Sequence, residues 1–285
     1  MAFQSVTRRS VPDDVFEQVL DEVVTGEIGA GEQLPSERRL AEVLGVSRPA
    51  VREALQRMAA TRLVEVRHGG ATTVRDFRRY AGMDLLPRLL VRRGKLDAAV
   101  ARSVLEARLA VGPAVAALAA ARGGLPLAAT LTETLDRLAG TDDDVERQVH
   151  ALEFWDQVVD AADSMVFRLM FNGLRAAYEP ALEALAPLMA EEVGQVDAYR
   201  VLTAALGAGD PETARAAADR VLRPATESLL RALAALGGEP LDLRRWLGHD
   251  SSSGTAPSAA VSTRYASTWP TSSAISGASA SSAGS

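Results

Sequence analysis

Residues 45–58 read GVSRPAVREALQRM. Wound into a helix, Arg48, Arg52 and Gln56 stand four residues apart on one ridge. Val51, Ala54, Leu55 and Met58 form a second ridge at the i, i+3, i+4, i+7 spacing of a face buried against a core. Ser47 is placed to cap this helix, which runs to about Ala60. Gly45 suits the left-handed turn that ends a preceding helix. That helix extends back from Leu44 to a cap at Ser36. Further upstream, Val15, Val19, Leu20 and Val23 repeat at helical spacing over 12–26, and Pro12 fits a first turn. Downstream, LVEVR (63–67) and ATTVRDF (71–77) read as two short strands around the glycine turn HGG. Helix, helix, tight turn, helix and hairpin is the order of a winged helix-turn-helix.

The distribution of charge singles out the same stretch. The 285-residue chain carries a formal net charge of −6. Between Leu34 and Arg79, however, ten arginines face five acidic residues, so the rest of the chain sums to −11. A basic block inside an acidic protein points to one anionic partner at one place. There is no cysteine, which excludes disulfides and thiolate metal sites. No apolar run approaches 18 residues without a charge, and the N-terminus lacks the apolar core of a secretory signal. These features predict a cytoplasmic protein with no membrane partner. They also argue against an enzyme. There is no Gly-rich cofactor loop, no cysteine nucleophile and no histidine-based triad, and Lys95, the sole lysine, sits in a turn rather than a Schiff-base setting. No cofactor is expected.

From about Tyr80 to Gly238 the pattern is almost wholly helical. Breaks fall near Gly94, 123–126, 140–142, Ser164, Gly194 and 207–211, giving six or seven helices with loops short enough for antiparallel packing. EPLDLRRWLGHD (239–250) fits a further amphipathic turn or two. Residues 251–285 are mostly Ser, Ala, Thr and Gly with Arg264 as the only charge, too polar to offset ordering entropy, and are expected to be disordered. The predicted fold is mainly α: a winged helix-turn-helix with a small hairpin wing (1–78), an all-α antiparallel bundle (79–238) and a low-complexity tail (239–285).

In a winged helix-turn-helix the second helix of the pair enters the major groove. Arg48 and Arg52 would then reach guanine O6 and N7, or phosphates. Ser47 and the helix N-terminus suit a phosphate. His68 and Gly69, at the hairpin tip, suit the adjacent minor groove. Over 34–74, LPSERRLAEVLGVSRPAVREALQRMAATRLVEVRHGGATTV resembles the DNA-binding domain of the GntR family. The resemblance implies DNA contacts at Arg38, Ser47, Arg48, Arg52, His68 and Gly69, on double-stranded operator DNA, by a two-fold homodimer. Pro49 and Ala50 stand where relatives often carry hydroxyls, which leaves the base preference open.

The second half resembles the all-helical effector-binding domain of the FadR subfamily, through ARSVLEARLAVGPAVAALAA (101–120), LEFWDQVVDAADS (152–164) and AYRVLTAALGAGDPETARAAADRVL (198–222). In most members one Asp and three His from these helices bind a divalent metal. Here those positions hold Ala151, Trp155, Tyr199 and Val221. The three histidines of the chain are His68, His150 and His249, so one imidazole at most lies in the helical domain. Two readings stand at this point: a bundle core filled solid by bulkier side chains, or a cavity rebuilt for an apolar ligand. Candidate effector-binding residues are Arg102, Arg108, Trp155, Arg168, Phe171, Asn172, Arg175 and Tyr199. The metal-free members of the subfamily sense long-chain acyl-CoA, and ATTVRDFRRYAGMDLLPRLLVRRG (71–94) is similar to FadR-type proteins of high-GC bacteria. The resemblance therefore implies an acyl-CoA-like effector that releases a repressor from its operator. A small carboxylate effector, or a dimer that needs no ligand, are the alternatives. Elemental analysis of the purified protein is expected to find no stoichiometric zinc, nickel or manganese; one tightly held divalent ion per chain would overturn the alignment of Ala151, Trp155, Tyr199 and Val221.

Overall fold

A computed structural model of the chain describes residues 10–67, 71–179, 182–235 and 241–242. Helix α1 (Val11–Thr25) buries Val15, Phe16, Val19 and Leu20. Helix α2 (Glu37–Leu44) is capped by Ser36, whose Oγ accepts from the Arg39 N–H at 3.3 Å. Gly45 follows at φ 66° and ψ 31°, a left-handed conformation that a side chain would strain. Ser47 then caps α3 (Arg48–Ala60), accepting from the Ala50 N–H at 3.4 Å. Val51, Ala54, Leu55 and Met58 are buried against α1, so the apolar ridge packs inward and the arginine ridge faces out. Strands β1 (Val64–Val66) and β2 (Thr72–Val74) pair antiparallel, with Val64 opposite Val74. The hairpin is shorter than its sequence pattern because Asp76 caps a helical turn, α4 (Phe77–Tyr80), through the Arg78 N–H at 3.1 Å. The wing tip, with His68 and Gly69, lies outside the described residues.

A 3₁₀ turn (Met83–Leu85) and helix α5 (Leu86–Leu90) join the two domains. Leu85 is buried in the winged-helix core, beyond the boundary at 78 that the sequence suggests, and Leu90 belongs to a cluster with Leu96, Ala177 and Leu233. Strands β3 (Val91–Arg92) and β4 (Lys95–Leu96) form a two-residue hairpin, and β5 (Leu241–Asp242) pairs with β4. This small sheet has no counterpart in the sequence reading.

The bundle comprises α6 (Ala98–Gly140), α7 (Asp144–Ala161), α8 (Met165–Tyr178), α9 (Leu182–Val193), α10 (Val196–Ala208) and α11 (Pro211–Ala235). Helix α6 is bent at Gly124, whose φ of 64° and ψ of −156° are non-helical. By length and composition α6 is apolar enough to cross a membrane, yet here it is the central column that α7, α10 and α11 pack around. Asp97 and Asp143 cap α6 and α7 through their carboxylates. The expected breaks fall at Gly124, 141–143, Ser164, 194–195 and 209–210; the sequence pattern does not separate α8 from α9.

Ion pairs fasten the joining segment to α1. Asp13, Glu17 and Asp21 stand at i, i+4, i+8 on α1, one edge of the helix. Arg88 reaches Asp13 at 3.0 Å and Glu17 at 2.7 Å. Arg92 bridges Asp21 at 3.2 Å and Asp97 at 2.8 Å, so one guanidinium links the winged helix to the cap of α6. Arg57 of α3 also pairs with Asp13, at 2.7 Å. Burial works to raise the Asp13 pKa, but the Ser10 hydroxyl, Arg88 and Arg57 outweigh it and hold it down from an ordinary 3.8 to about 2. A depressed carboxyl contributes stability above its unfolded pKa and loses it as pH falls through the folded value. After discounting for solvent screening, Asp13→Asn is expected to cost about 1 kcal/mol at neutral pH. The gap from wild type should close between pH 3.8 and about 2, as followed by urea unfolding across that range.

Candidate functional site

The structure gathers the arginines of the reading helix on one exposed face. Arg38 lies on α2, and Arg48 and Arg52 on the outer ridge of α3, all well exposed. They are not free. Arg52 forks onto Glu37, Nε to Oε1 at 3.0 Å and Nη2 to Oε2 at 2.8 Å. Arg48 Nη2 lies 4.0 Å from the same carboxylate, and Arg38 pairs with Glu42 at 3.4 Å. The Arg52 hydrogen bonds hold the Glu37 carboxyl below its ordinary value and raise the Arg52 guanidinium in turn. Sequence alone reads Glu37 as a packing or solvated residue. In the fold it sets the direction of the forked donor that would face DNA. Ser47 sits at the start of the same face, with its Oγ turned back to cap α3.

The helical domain encloses a cavity of about 320 Å³ between α6, α7, α8, α9 and α11. The space is open, so the bundle is not filled solid at this point. Its wall is overwhelmingly apolar and includes Trp155, Phe167, Phe171 and Leu174. Of the residues expected from sequence, Arg108, Trp155, Phe171 and Arg175 line it. Arg102 does not; it is exposed on the first turns of α6. Asn172 is exposed too, because the turn of α8 that puts Phe171 and Leu174 inward puts residue 172 outward. Arg168 is outside the lining and pairs with Asp156 at 2.7 Å and with Asp160. Tyr199 is fully buried behind the lining, and its hydroxyl donates to Glu192 Oε1 at 3.3 Å.

The polar end of the lining adds Glu192 and Gln148, which the sequence reading does not single out. Glu192 is buried, with 1% of its surface exposed, and Arg108 forms an ion pair with it. Gln148, 3% exposed, accepts from the Tyr178 hydroxyl at 2.8 Å. Burial raises both Tyr178 and Tyr199, and the Glu192 charge pushes each further up while Arg108 opposes it. Both phenols are therefore neutral donors at any physiological pH. Burial works against the Arg108 charge, but Glu192 overcomes it and keeps the guanidinium protonated. Arg175, the other lining arginine, pairs with Glu179 at 2.6 Å and Asp156 at 3.5 Å. At the positions where metal ligands would stand, Ala151 and Trp155 line the cavity, and Tyr199 and Val221 are core. Among the described residues no group of three or more His, Cys, Asp or Glu could hold a metal ion.

Known proteins share this arrangement. Residues 12–74 match the bacterial regulatory proteins of the gntR family, and residues 103–224 match the FCD domain. The chain is 57% identical over 233 residues to the HTH-type transcriptional regulator Mce2R of Mycobacterium tuberculosis, covering 82% of this chain and 97% of that one. The chain belongs to the GntR family. GntR proteins are transcription regulators that bind operator DNA and are not enzymes. An uncharacterized HTH-type transcriptional regulator of M. tuberculosis, Rv0494, is 29% identical over 220 residues, or 77% of this chain and 90% of that one. A solved structure of Lar from Listeria monocytogenes has the same fold, with a TM-score of 0.51 at 16% identity over 79% of this chain and 99% of that one. In this GntR protein the polar end of the cavity is also structural. Glu192→Ala would leave Arg108 buried without its carboxylate and the Tyr199 hydroxyl without its acceptor. Thermal or urea unfolding is expected to show a loss on the order of 3 kcal/mol, against a much smaller loss for Arg223→Ala, which breaks an exposed pair with Asp219.

Proposed function

We propose that the protein is a cytoplasmic, homodimeric repressor whose helical domain binds a lipid, long-chain acyl-CoA in the first instance, and that occupancy of the cavity weakens its hold on operator DNA. The observation that carries this reading is the apolar cavity of about 320 Å³ on α8, the helix that also packs against the joining segment. An acyl chain gains about 0.8 kcal/mol per buried methylene, so such a wall rewards chain length. The name shared by relatives in Vibrio cholerae, fatty acid metabolism regulator protein, points the same way, at 36% identity over 92 residues. A small carboxylate effector fits less well, because Arg108 and Arg175 already face acidic partners.

The route from cavity to DNA is short. Phe167, Met170, Phe171 and Leu174 present one face of α8 to the cavity. The other side meets Met83 so closely that a Cβ built on Gly173 would stand 2.6 Å from the Met83 Cβ. Met83 precedes Leu85 in the winged-helix core, and Arg88 ties α5 to α1. A ligand that shifts α8 thus bears on the reading head, and it acts by favouring one dimer geometry over another. One winged helix covers a half-site, so the dimer would read a short palindrome.

Operator DNA selected by the protein from random sequence provides the assay. Arg48→Ala and Arg52→Ala should each weaken specific binding by about 1–3 kcal/mol. Long-chain acyl-CoA should release the DNA, with potency rising about fourfold per methylene until the cavity is full. Gly173→Val should shift basal operator affinity without touching either site. Wild-type DNA binding by both arginine variants would remove the reading-helix assignment. A response to a sugar acid or amino acid, with none to acyl-CoA, would remove the effector assignment.

A further inference from the structure

Of Arg38, Arg48 and Arg52, only Arg52 has a fixed direction. Its Nε and Nη2 donate to the two oxygens of Glu37, at 3.0 and 2.8 Å. Arg48 and Arg38 make looser ion pairs, at 4.0 Å to Glu37 and 3.4 Å to Glu42. The anchor behind Arg52 is itself fixed. Glu37 is the first residue of α2, beside the Ser36 cap, and Leu40 and Ala41 of that helix share a core with Val51 and Leu55 of α3. A guanidinium carries its five N–H donors in one plane. Glu37 takes the side edge, made by Nε and one N–H of Nη2. The end edge, one N–H each from Nη1 and Nη2, is left over, on a side chain that is 59% exposed. Two parallel donors of this kind span O6 and N7 of a guanine. A phosphate clamp gains nothing from the arrangement, because a carboxylate beside the guanidinium weakens its attraction to a polyanion. A reader of base edges does gain, since a pinned side chain has lost its rotamer freedom before the DNA arrives.

We infer that Arg52 reads a guanine of the operator through the end edge of its guanidinium, and that Glu37 is the positioning residue that holds it for this task. The inference rests on α3 being the reading helix and narrows what Arg52 does there, where guanine and phosphate both stand open on sequence alone. Glu37 has 30% of its side chain exposed and places a negative charge on the face that meets DNA. That charge lowers affinity for any DNA and is offset only where Arg52 finds its base. The pair therefore trades general affinity for discrimination.

The test uses operator DNA selected by the full chain from random sequence, together with its single-base variants. Binding is followed by fluorescence anisotropy at one salt concentration, with circular dichroism confirming that each protein variant is folded. Wild type is expected to discriminate by about tenfold or more at the base pair that Arg52 reads. Arg52→Lys keeps the charge and removes the fork, and should lose that preference at a single G·C pair of the half-site while the other positions keep theirs. Glu37→Gln keeps the bulk and can hold at most one of the two hydrogen bonds. It should cut discrimination at the same pair to about threefold or less, with binding to random DNA unchanged or tighter. Added to Arg52→Lys, Glu37→Gln should change discrimination no further, which a general disturbance of α2 would not give. Equal weakening of every operator variant by Arg52→Lys makes Arg52 a phosphate contact and overturns the inference. So does wild-type discrimination at that pair in Glu37→Gln, or a loss spread evenly over all positions; each of these outcomes leaves α3 as the reading helix. Wild-type binding to every operator variant by both Arg52→Lys and Arg48→Ala overturns the reading-helix assignment and the inference with it.

Discussion

The short segment 82–90 feeds two hydrophobic cores, Leu85 and Leu89 one and Leu86 and Leu90 the other, and the architecture hangs on that sharing. Leu85 is sealed into the winged helix and Leu90 into the foot of the bundle. Four α-helical residues between them leave little slack. The acidic edge of α1 then fixes the orientation of this segment through Arg88, Arg92 and Arg93. Partly buried ion pairs such as these contribute modestly to stability, but they reward one relative placement of the charged partners over others. These contacts join the winged helix to the bundle through one short segment.

The cavity owes its shape to substitution at places where the resemblance leads one to expect ligands. Ala151 is too small to fill the space that a metal and its water would take, and Trp155 covers one side of that space with an apolar plane. Tyr199 and Val221 withdraw into the core. Phe154 packs edge-on against Trp155 and Tyr199, with ring centroids 6.0 and 5.0 Å apart, so the aromatic wall is stiff. Charge remains in the wall as the Arg108–Glu192 pair and as Arg175, which is paired with Glu179 and Asp156; an unpaired member in a low-dielectric setting would be costly.

Much of this was legible in the chain. The two ridges of α3, the Ser36 and Ser47 caps and the Gly45 turn are local features, determined by residues within a few positions of one another, and the fold class follows from them. The polar cluster was not legible. Glu192 sits in AEEVGQ (190–195), which reads as a solvated helix end, and only the packing of α9 against α7 and α11 buries it while its neighbour Glu191 stays exposed. Gln148 likewise carries no periodic signal. Conversely, residue type points Arg102, Arg168 and Asn172 toward the cavity, and a rotation of one residue along a helix puts each elsewhere. The β3–β4–β5 sheet escaped because two-residue strands leave no alternation to detect.

Trp155 gives the cavity an intrinsic optical property. Among the described residues it is the only indole, and it lines the cavity. Its emission reports the polarity of that space. The chain's two other tryptophans, Trp246 and Trp269, lie toward the C-terminus, outside the FCD match. With those two changed to phenylalanine, the state of the cavity becomes readable as a colour shift, with no label and no DNA present.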